Sequence, residues 1–370
     1  MKDYLGIIFA YKSYPELGEL VNKRTAASLP VCGRYRLIDF SLSSLRNAGI
    51  LDVGVVMQRD YQSLLDHIGS GKAWDMSRRV GGLKMLPPFG LPVFHQGNYG
   101  GTMEALNSVR SFIKEAPHSN IVLMLGNLFA NIDLEEAINV HEKSRADITA
   151  ICANYEPDVL HHRYVISPSG RVEKILFNRL GCSDGIPSLE CYVIKKDVLL
   201  NMMDRCASEN LYRFHEDGIT EFLSGGGYIQ TYVHKNYARI IQNTEGYYDA
   251  NMNILDPVNR ATLFPSDRPV RTTHLPTVST YYGTSAKIVN SLVADECVIE
   301  GEIENSIIFA GAKIGKGCSV KNCIIMRDAV LESNVELNCV IADKETLFTH
   351  DVTLIGSKNL PIVVPKQAKI

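Results

Sequence analysis

Long apolar runs, paired cysteine motifs and any excess of charge are missing from these 370 residues. No apolar run approaches the roughly 20 residues that span a bilayer. The short stretch Tyr4-Leu-Gly-Ile-Ile-Phe-Ala10 has no small-residue cleavage site after it, so it reads as a first buried strand and not as a signal peptide. The nine cysteines are odd in number, scattered from Cys32 to Cys339, and never spaced Cys-x-x-Cys. That excludes a zinc ribbon or a disulfide framework and leaves buried free thiols in a reducing cytoplasm. A net charge of -3 gives no footing for nucleic acid or an anionic membrane as partner. What is present is a 45% apolar chain, too long for one hydrophobic core, which predicts two domains.

Residues 1–254 alternate two textures. Tyr4–Ala10, Val53–Met57, Asn120–Leu125, Ile148–Ala153 and Glu190–Ile194 are short, β-rich and apolar on both sides, as in a mostly parallel sheet covered on both faces. Asp39–Ala48, Asp60–Ile68, Thr102–Ile113 and Asp133–Lys143 carry helical spacing, and Gly49 stands where a helix C′ glycine belongs. The alternation predicts a doubly wound, Rossmann-like α/β domain. Ligands in such sheets bind beyond the carboxyl ends of the strands, here the loops after Ala10, after Leu125 and near Ala238.

Residues 255–280, with Pro257, Pro265, Pro269 and Pro276, read as a connector. In residues 281–370 helical periodicity disappears. Aliphatic residues recur every five or six positions (Val293, Val298, Ile303, Ile308, Ile314, Val320 and on to Val340), with Gly, Asn and Asp between them. This is an imperfect hexapeptide repeat and predicts a left-handed parallel β-helix. A stack of antiparallel hairpins is the alternative and fits a step near six less well. A solenoid of this kind offers flat sides and edges for subunit packing.

One order of residues is more specific. Arg34-Tyr-Arg-Leu-Ile-Asp-Phe40, then Leu42-Ser43 and Asn47-Ala-Gly-Ile50, resembles the N-terminal signature of the ADP-glucose pyrophosphorylases (glucose-1-phosphate adenylyltransferases). The resemblance continues in Gln58, Ser63-Leu64, His67-Ile-Gly69, Trp74-Asp75, Leu86-Pro-Pro88, Gly101-Thr102 and Tyr247-Tyr-Asp-Ala-Asn-Met252. In pattern it is similar to the GlgD-type subunits of Gram-positive bacterial glycogen synthesis. It implies a nucleotidyltransferase-like α/β domain before the β-helix.

Adenylyl transfer needs backbone amides and cations around the triphosphate, a metal at the α-phosphate and a second site for the sugar phosphate. The chain departs from the family at each. The glycine loop of catalytic relatives falls on Tyr11 to Leu17, so that Tyr11, Lys12 and Tyr14 fill glycine places and Glu16 the arginine place; Ala26 stands for a lysine. Asn127 and Ile240 occupy the places of two metal-binding aspartates, which leaves no recognisable Mg²⁺ clamp and no cofactor expected. Gln58, Gly101 and Thr102 match as nucleotide-site remnants, and Lys174 and Ser188 as sugar-phosphate remnants, although a turn glycine and a strand-end glutamine also serve folding.

These substitutions gather in the chemistry while the scaffold blocks match. The expectation is a non-catalytic, regulatory or structural subunit. By the resemblance its partner is a catalytic paralogue in a heterotetramer, with control by a metabolite effector. The competing reading is an active sugar-1-phosphate nucleotidyltransferase whose rearranged site uses other carboxylates, such as Asp133, Asp217 or Asp249. A third takes the solenoid as an acyltransferase, for which His350 alone lies in the coils.

Overall fold

The computed structural model describes residues 3–12, 14–87, 99–155, 161–179, 184–273 and 277–370. Ser13, Pro88, Cys182 and Pro276 of the readings above lie outside them.

The apolar segments of the first 254 residues form a single nine-stranded sheet. Its strands are β1 (Tyr4–Phe9), β2 (Val53–Val56), β3 (Leu83–Leu86), β4 (Asn120–Leu125), β5 (Ile148–Ala153), β6 (His161–Ile166), β7 (Val172–Arg179), β8 (Ile186–Lys195) and β9 (Ile229–His234). β3, β2, β1 and β4 run parallel in that order. β8 then pairs antiparallel with β4, with β5 and, at its start, with β6; β6 and β7 form a hairpin, and β9 lies parallel to β5. β1 and β2 are buried throughout, because helices cover both faces.

Helix α1 (Leu37–Asn47) carries the family block. The Asp39 carboxylate accepts the Arg36 N–H at 2.9 Å, closing the first turn, and Gly49 with φ of 76° ends it. Asp39 is fully buried, and its other oxygen meets His67 Nε2 at 2.5 Å. The stretch expected as one helix over Thr102–Ile113 is broken at Val109 (φ -109°, ψ 16°) into α2 (Thr102–Ser108) and a short second helix, Arg110–Glu115. Helix α3 (Leu134–Ser144) starts from Asp133, whose carboxylate accepts the Glu136 N–H.

The C-terminal part is a three-sided solenoid of three parallel five-stranded sheets, as a left-handed hexapeptide β-helix requires. Ile303, Val320, Leu337 and Leu354 stack in register, 17 residues apart. Its corners are turned by Asn305, Asn322, Asn334, Asp328 and Asp351 at positive φ, which their short polar side chains tolerate. Two expected ladder positions are corrected. Val298 and Val330 are half-exposed, and Ile299 and Leu331 point inward instead. The eight described cysteines are free thiols, all buried except the half-buried Cys32.

Helix α4 (Thr244–Asn253), the Tyr247-to-Met252 block, joins the two parts. Tyr247 donates to the Pro30 carbonyl and Tyr248 to the Asn322 carbonyl in the solenoid, while Asn251 accepts the Cys32 N–H. Around them Leu29, Phe40 and Phe129 share one apolar core with Ile307, Ile324 and Ile341 of the solenoid. Helix α5 (Pro257–Leu263), within the stretch expected as connector, buries Leu263 in the same core.

Candidate functional site

The carboxyl ends of β1, β2 and β4 face the region where a ligand would lie. After β1, Tyr11 packs edge-on against Phe9 and Tyr99, and its hydroxyl donates to Thr102 Oγ1 at 3.0 Å. Lys12 forms an ion pair with Glu190 of β8. Tyr14 follows, with its hydroxyl buried and without a hydrogen-bond partner. The space left between Phe9, Lys12, Thr102, Leu125, Tyr192 and His215 is about 10 Å³, room for one water at most. Tyr11 and Lys12, at two of the places expected to hold glycine, thus leave almost no open space beyond β1. Glu16, by contrast, is exposed on the following 3₁₀ turn, and its carbonyl accepts Thr244 Oγ1.

Glu190 is placed by backbone strain. It sits at φ 50° inside a bulge of β8, between Ser188 and Cys191, where the register against β5 slips. Glu190 N–H donates to Ser188 Oγ at 2.9 Å, which holds the bulge. Burial pushes the Glu190 carboxyl up, but Lys12, His215, His162 and His161 together hold it well below the usual carboxylate range. Burial likewise opposes the Lys12 ammonium, and Glu190 more than restores it. The imidazoles of His162 and His215 are pushed down, chiefly by burial, His215 to about 4, so both are neutral near pH 7.

The two aspartate places meet in space. Ile240 pairs with Leu128 across a short antiparallel ladder, and Asn127 precedes Leu128. Asn127 is buried, its Nδ2 donates to the Ile241 carbonyl at 2.7 Å, and its own carbonyl accepts the Ile241 N–H at 3.1 Å. Ile240 belongs to the apolar core. An amide committed as a donor and an aliphatic chain do not fit Mg²⁺, which takes oxygen ligands.

The remaining predicted positions separate. Ala26 is a core residue between the domains. Gln58 is buried just past β2, and Thr102 is spent on Tyr11. Gly101 is required by packing: a Cβ there would lie 2.1 Å from the Tyr212 carbonyl oxygen. On the sugar side, Lys174 is exposed on β7 whereas Ser188 is fully buried under Glu190, so the two do not converge. Missed by sequence reasoning are Lys12's partner Glu190 and the cluster His161, His162 and His215. The adjacent His161-His162 pair was the one local signal.

A second feature lies between the domains. Arg24, hydrogen-bonded to the Leu20 carbonyl, makes a buried ion pair with Asp343 of the solenoid. Beside it lies a crevice of about 240 Å³, whose charged lining is Lys23, Arg24, Lys344 and Lys366 against Glu19 and Asp343. Burial, then Arg36 and Arg24, push the Lys344 ammonium down to about 7.

A largely parallel sheet with its ligand edge at β1 and β4, joined to a hexapeptide solenoid, defines a nucleotidyltransferase-type protein with a left-handed β-helix. Comparison agrees: a nucleotidyl transferase family model matches residues 17–173, and a GlmU-like C-terminal hexapeptide model matches residues 276–359. The chain is 27% identical to a glucose-1-phosphate adenylyltransferase of Clostridium perfringens, over 90% of this chain and 85% of that protein. It is 28% identical to the glycogen biosynthesis protein GlgD of Bacillus subtilis, over 98% of this chain and 95% of the relative. A Desulfitobacterium hafniense glucose-1-phosphate adenylyltransferase matches at 27%, over 94% and 88%. The chain thus carries a nucleotidyl transferase domain followed by a GlmU-like hexapeptide domain, and along most of its length it is similar to glucose-1-phosphate adenylyltransferases and to a glycogen biosynthesis protein.

Proposed function

We propose that this chain is a non-catalytic, regulatory or structural subunit that acts in the cytoplasm with a catalytic glucose-1-phosphate adenylyltransferase, in a mixed tetramer. The carrying observation is the closed cleft: Tyr11, Lys12 and Tyr14 fill the triphosphate's place, with Lys12 tied to Glu190. The Asn127–Ile241 link adds that the metal position serves folding instead. Among the relatives, the match along 98% of this chain to a protein named for glycogen biosynthesis, and not for the transferase reaction, points the same way. The coupling would be a free energy of about 1–3 kcal/mol between the partner's conformations, a 5- to 150-fold change in an equilibrium. The basic crevice at Lys23, Lys344 and Lys366 is suited to an anionic metabolite as effector.

The rearranged-site reading gains no observation. Asp133 caps α3 and pairs with Arg268, Asp217 is bonded to Arg213, and Asp249 lies on the interdomain helix α4. His350 is exposed and bound to Ser333 and Glu332.

The test measures ADP-glucose synthesis by the purified chain with ATP, glucose 1-phosphate and Mg²⁺. It then measures kinetics of the catalytic paralogue with and without this chain at matched catalytic-subunit concentration. The expected outcome is negligible activity alone, co-elution with the paralogue and a changed apparent Vmax, KM or effector response. Turnover alone within about tenfold of the paralogue, a difference of only ~1.4 kcal/mol in barrier, overturns the proposal. So does separate elution with unchanged kinetics.

A further inference from the structure

We propose that His161, His162 and Glu190 form a binding site for a first-row transition-metal ion, Zn²⁺ in the first instance, inside the closed cleft. This does not rest on the regulatory role, and it is a different place from the lost aspartates.

Geometry carries it. One donor atom from each of the three residues lies within 4.8 Å of the others. A tetrahedral zinc with bonds of about 2.0–2.1 Å holds its donors about 3.4 Å apart, so a small closure of side chains completes the set. Two imidazoles and one carboxylate are a donor combination zinc accepts with a fourth position open, and nitrogen donors disfavour Mg²⁺ and Ca²⁺.

The surroundings are those of a ligated histidine. His161 Nε2 lies 2.6 Å from the Ser188 carbonyl, which can only accept, so Nε2 carries the proton. The lone pair of Nδ1 is thereby turned toward Glu190, with Nδ1 3.9 Å from Oε1. Fixing the tautomer through a backbone carbonyl is the usual outer-shell device of metal sites. His162 Nε2 meets Tyr192 Oη at 3.3 Å, and that hydroxyl is 2.9 Å from Tyr164 Oη, a polar relay behind the second imidazole. His215 stands next to them, its ring 4.0 Å from that of His162. Its Nε2 is buried without a hydrogen-bond partner, a costly state that a metal or a metal-bound water would relieve.

Lys12 now supplies the positive charge beside Glu190, so metal and ammonium compete for one carboxylate. The Lys12 side chain is 22% exposed on a flexible four-carbon stem and can swing outward, opening the way in. Metal occupancy would then loosen the plug at Tyr11 and Lys12.

The competition gives a test that a surface site would fail. The full chain, stripped with a chelator, is titrated with Zn²⁺ against a chromophoric competitor, and with Co²⁺ for its visible absorption bands. One equivalent is expected to bind. His162→Ala and Glu190→Gln should weaken it by roughly 100-fold or more, beyond the loss of an outer-shell partner. Lys12→Met should tighten it by about tenfold or more, because a competing charge at contact distance is gone. Circular dichroism checks that each variant is folded, and the gain in Lys12→Met is readable even where a ligand variant is not. Absence of a one-to-one complex in the unaltered chain overturns the proposal, including the case in which only Lys12→Met binds. Stoichiometric binding indifferent to the substitutions overturns it too.

Discussion

Replacing Asn127 by aspartate introduces the residue that the resemblance expects at this place, yet the structure requires that it destabilise the protein. Asn127 is 2% exposed, and its Nδ2 donates to the Ile241 carbonyl at 2.7 Å. A carboxylate cannot donate there. The variant loses a hydrogen bond worth about 1 kcal/mol net, and leaves a buried carbonyl facing a buried charge, a further penalty of about 1–3 kcal/mol. The expected cost at pH 7 is therefore ~2–4 kcal/mol, among the larger effects of single substitutions.

The pH dependence separates this cause from a loss of packing. The introduced carboxyl is pushed above its unfolded pKa, because its protonated form can donate to Ile241 and its charged form is desolvated. In the window between the two pKa values the folded state binds more protons, so the variant loses stability as pH rises and recovers it toward about pH 4. The assay is urea unfolding of Asn127→Asp and the unaltered chain at several pH values, compared as a difference at each. A difference within ~0.5 kcal/mol at pH 7, the range of an ordinary surface substitution, would refute the structural role of the amide. So would a larger loss that does not move with pH. Adding Ile240→Asp should recover Mn²⁺ binding without turnover, because Tyr11, Lys12 and Tyr14 still fill the cleft.

Two further outcomes follow from the interdomain contacts. Arg24→Met should cost about 3–5 kcal/mol in urea unfolding by stranding the buried Asp343 carboxylate, and Arg24→Met with Asp343→Leu should recover most of it. Lys344, at about 7 in the fold, binds fewer protons there than in the unfolded chain between about pH 7 and its ordinary value near 10. Its destabilisation is thus full below pH 7 and fades as pH rises, so Lys344→Met should raise Tm at pH 6 and not at pH 10. Inorganic phosphate should raise the Tm of the unaltered chain more than that of the variant.

What the sequence disclosed was local. Helix α1 was legible because apolar spacing, Asp39 and Gly49 all act within one stretch. The solenoid was legible as a repeat, but a step of six assigns Val298 and Val330 inward. The coils step by 15 residues from Ile299 to Ile314 and by 17 from Ile314 to Leu331, so a fixed step of six drifts out of register, and the pleat turns Ile299 and Leu331 inward instead. The helix expected over Thr102–Ile113 failed at Val109, where nothing but the turned backbone marks the break.

The same division governs the site. That glycines and carboxylates were missing could be counted along the chain; what their replacements do could not. Lys12 and Glu190 are 178 residues apart, and they meet because β8 crosses antiparallel beside β4 and bulges at Glu190. His161 and His162 reach the same place only through the pairing of β6 with β8. Asn127 reads as a lost ligand until its N–H is found on the Ile241 carbonyl, 114 residues away. Decay alone predicts a cleft left open, with charges unpaired and space for water. Here the space is refilled, the charges are paired, and a strained φ is held at Glu190. A backbone held in such a region costs ~1–3 kcal/mol and persists where the surrounding structure over-determines it. Restoring the aspartates alone therefore leaves the cleft closed, because Lys12 is held by Glu190 of β8 and Tyr11 by Thr102 of α2, neither of which the restoration touches.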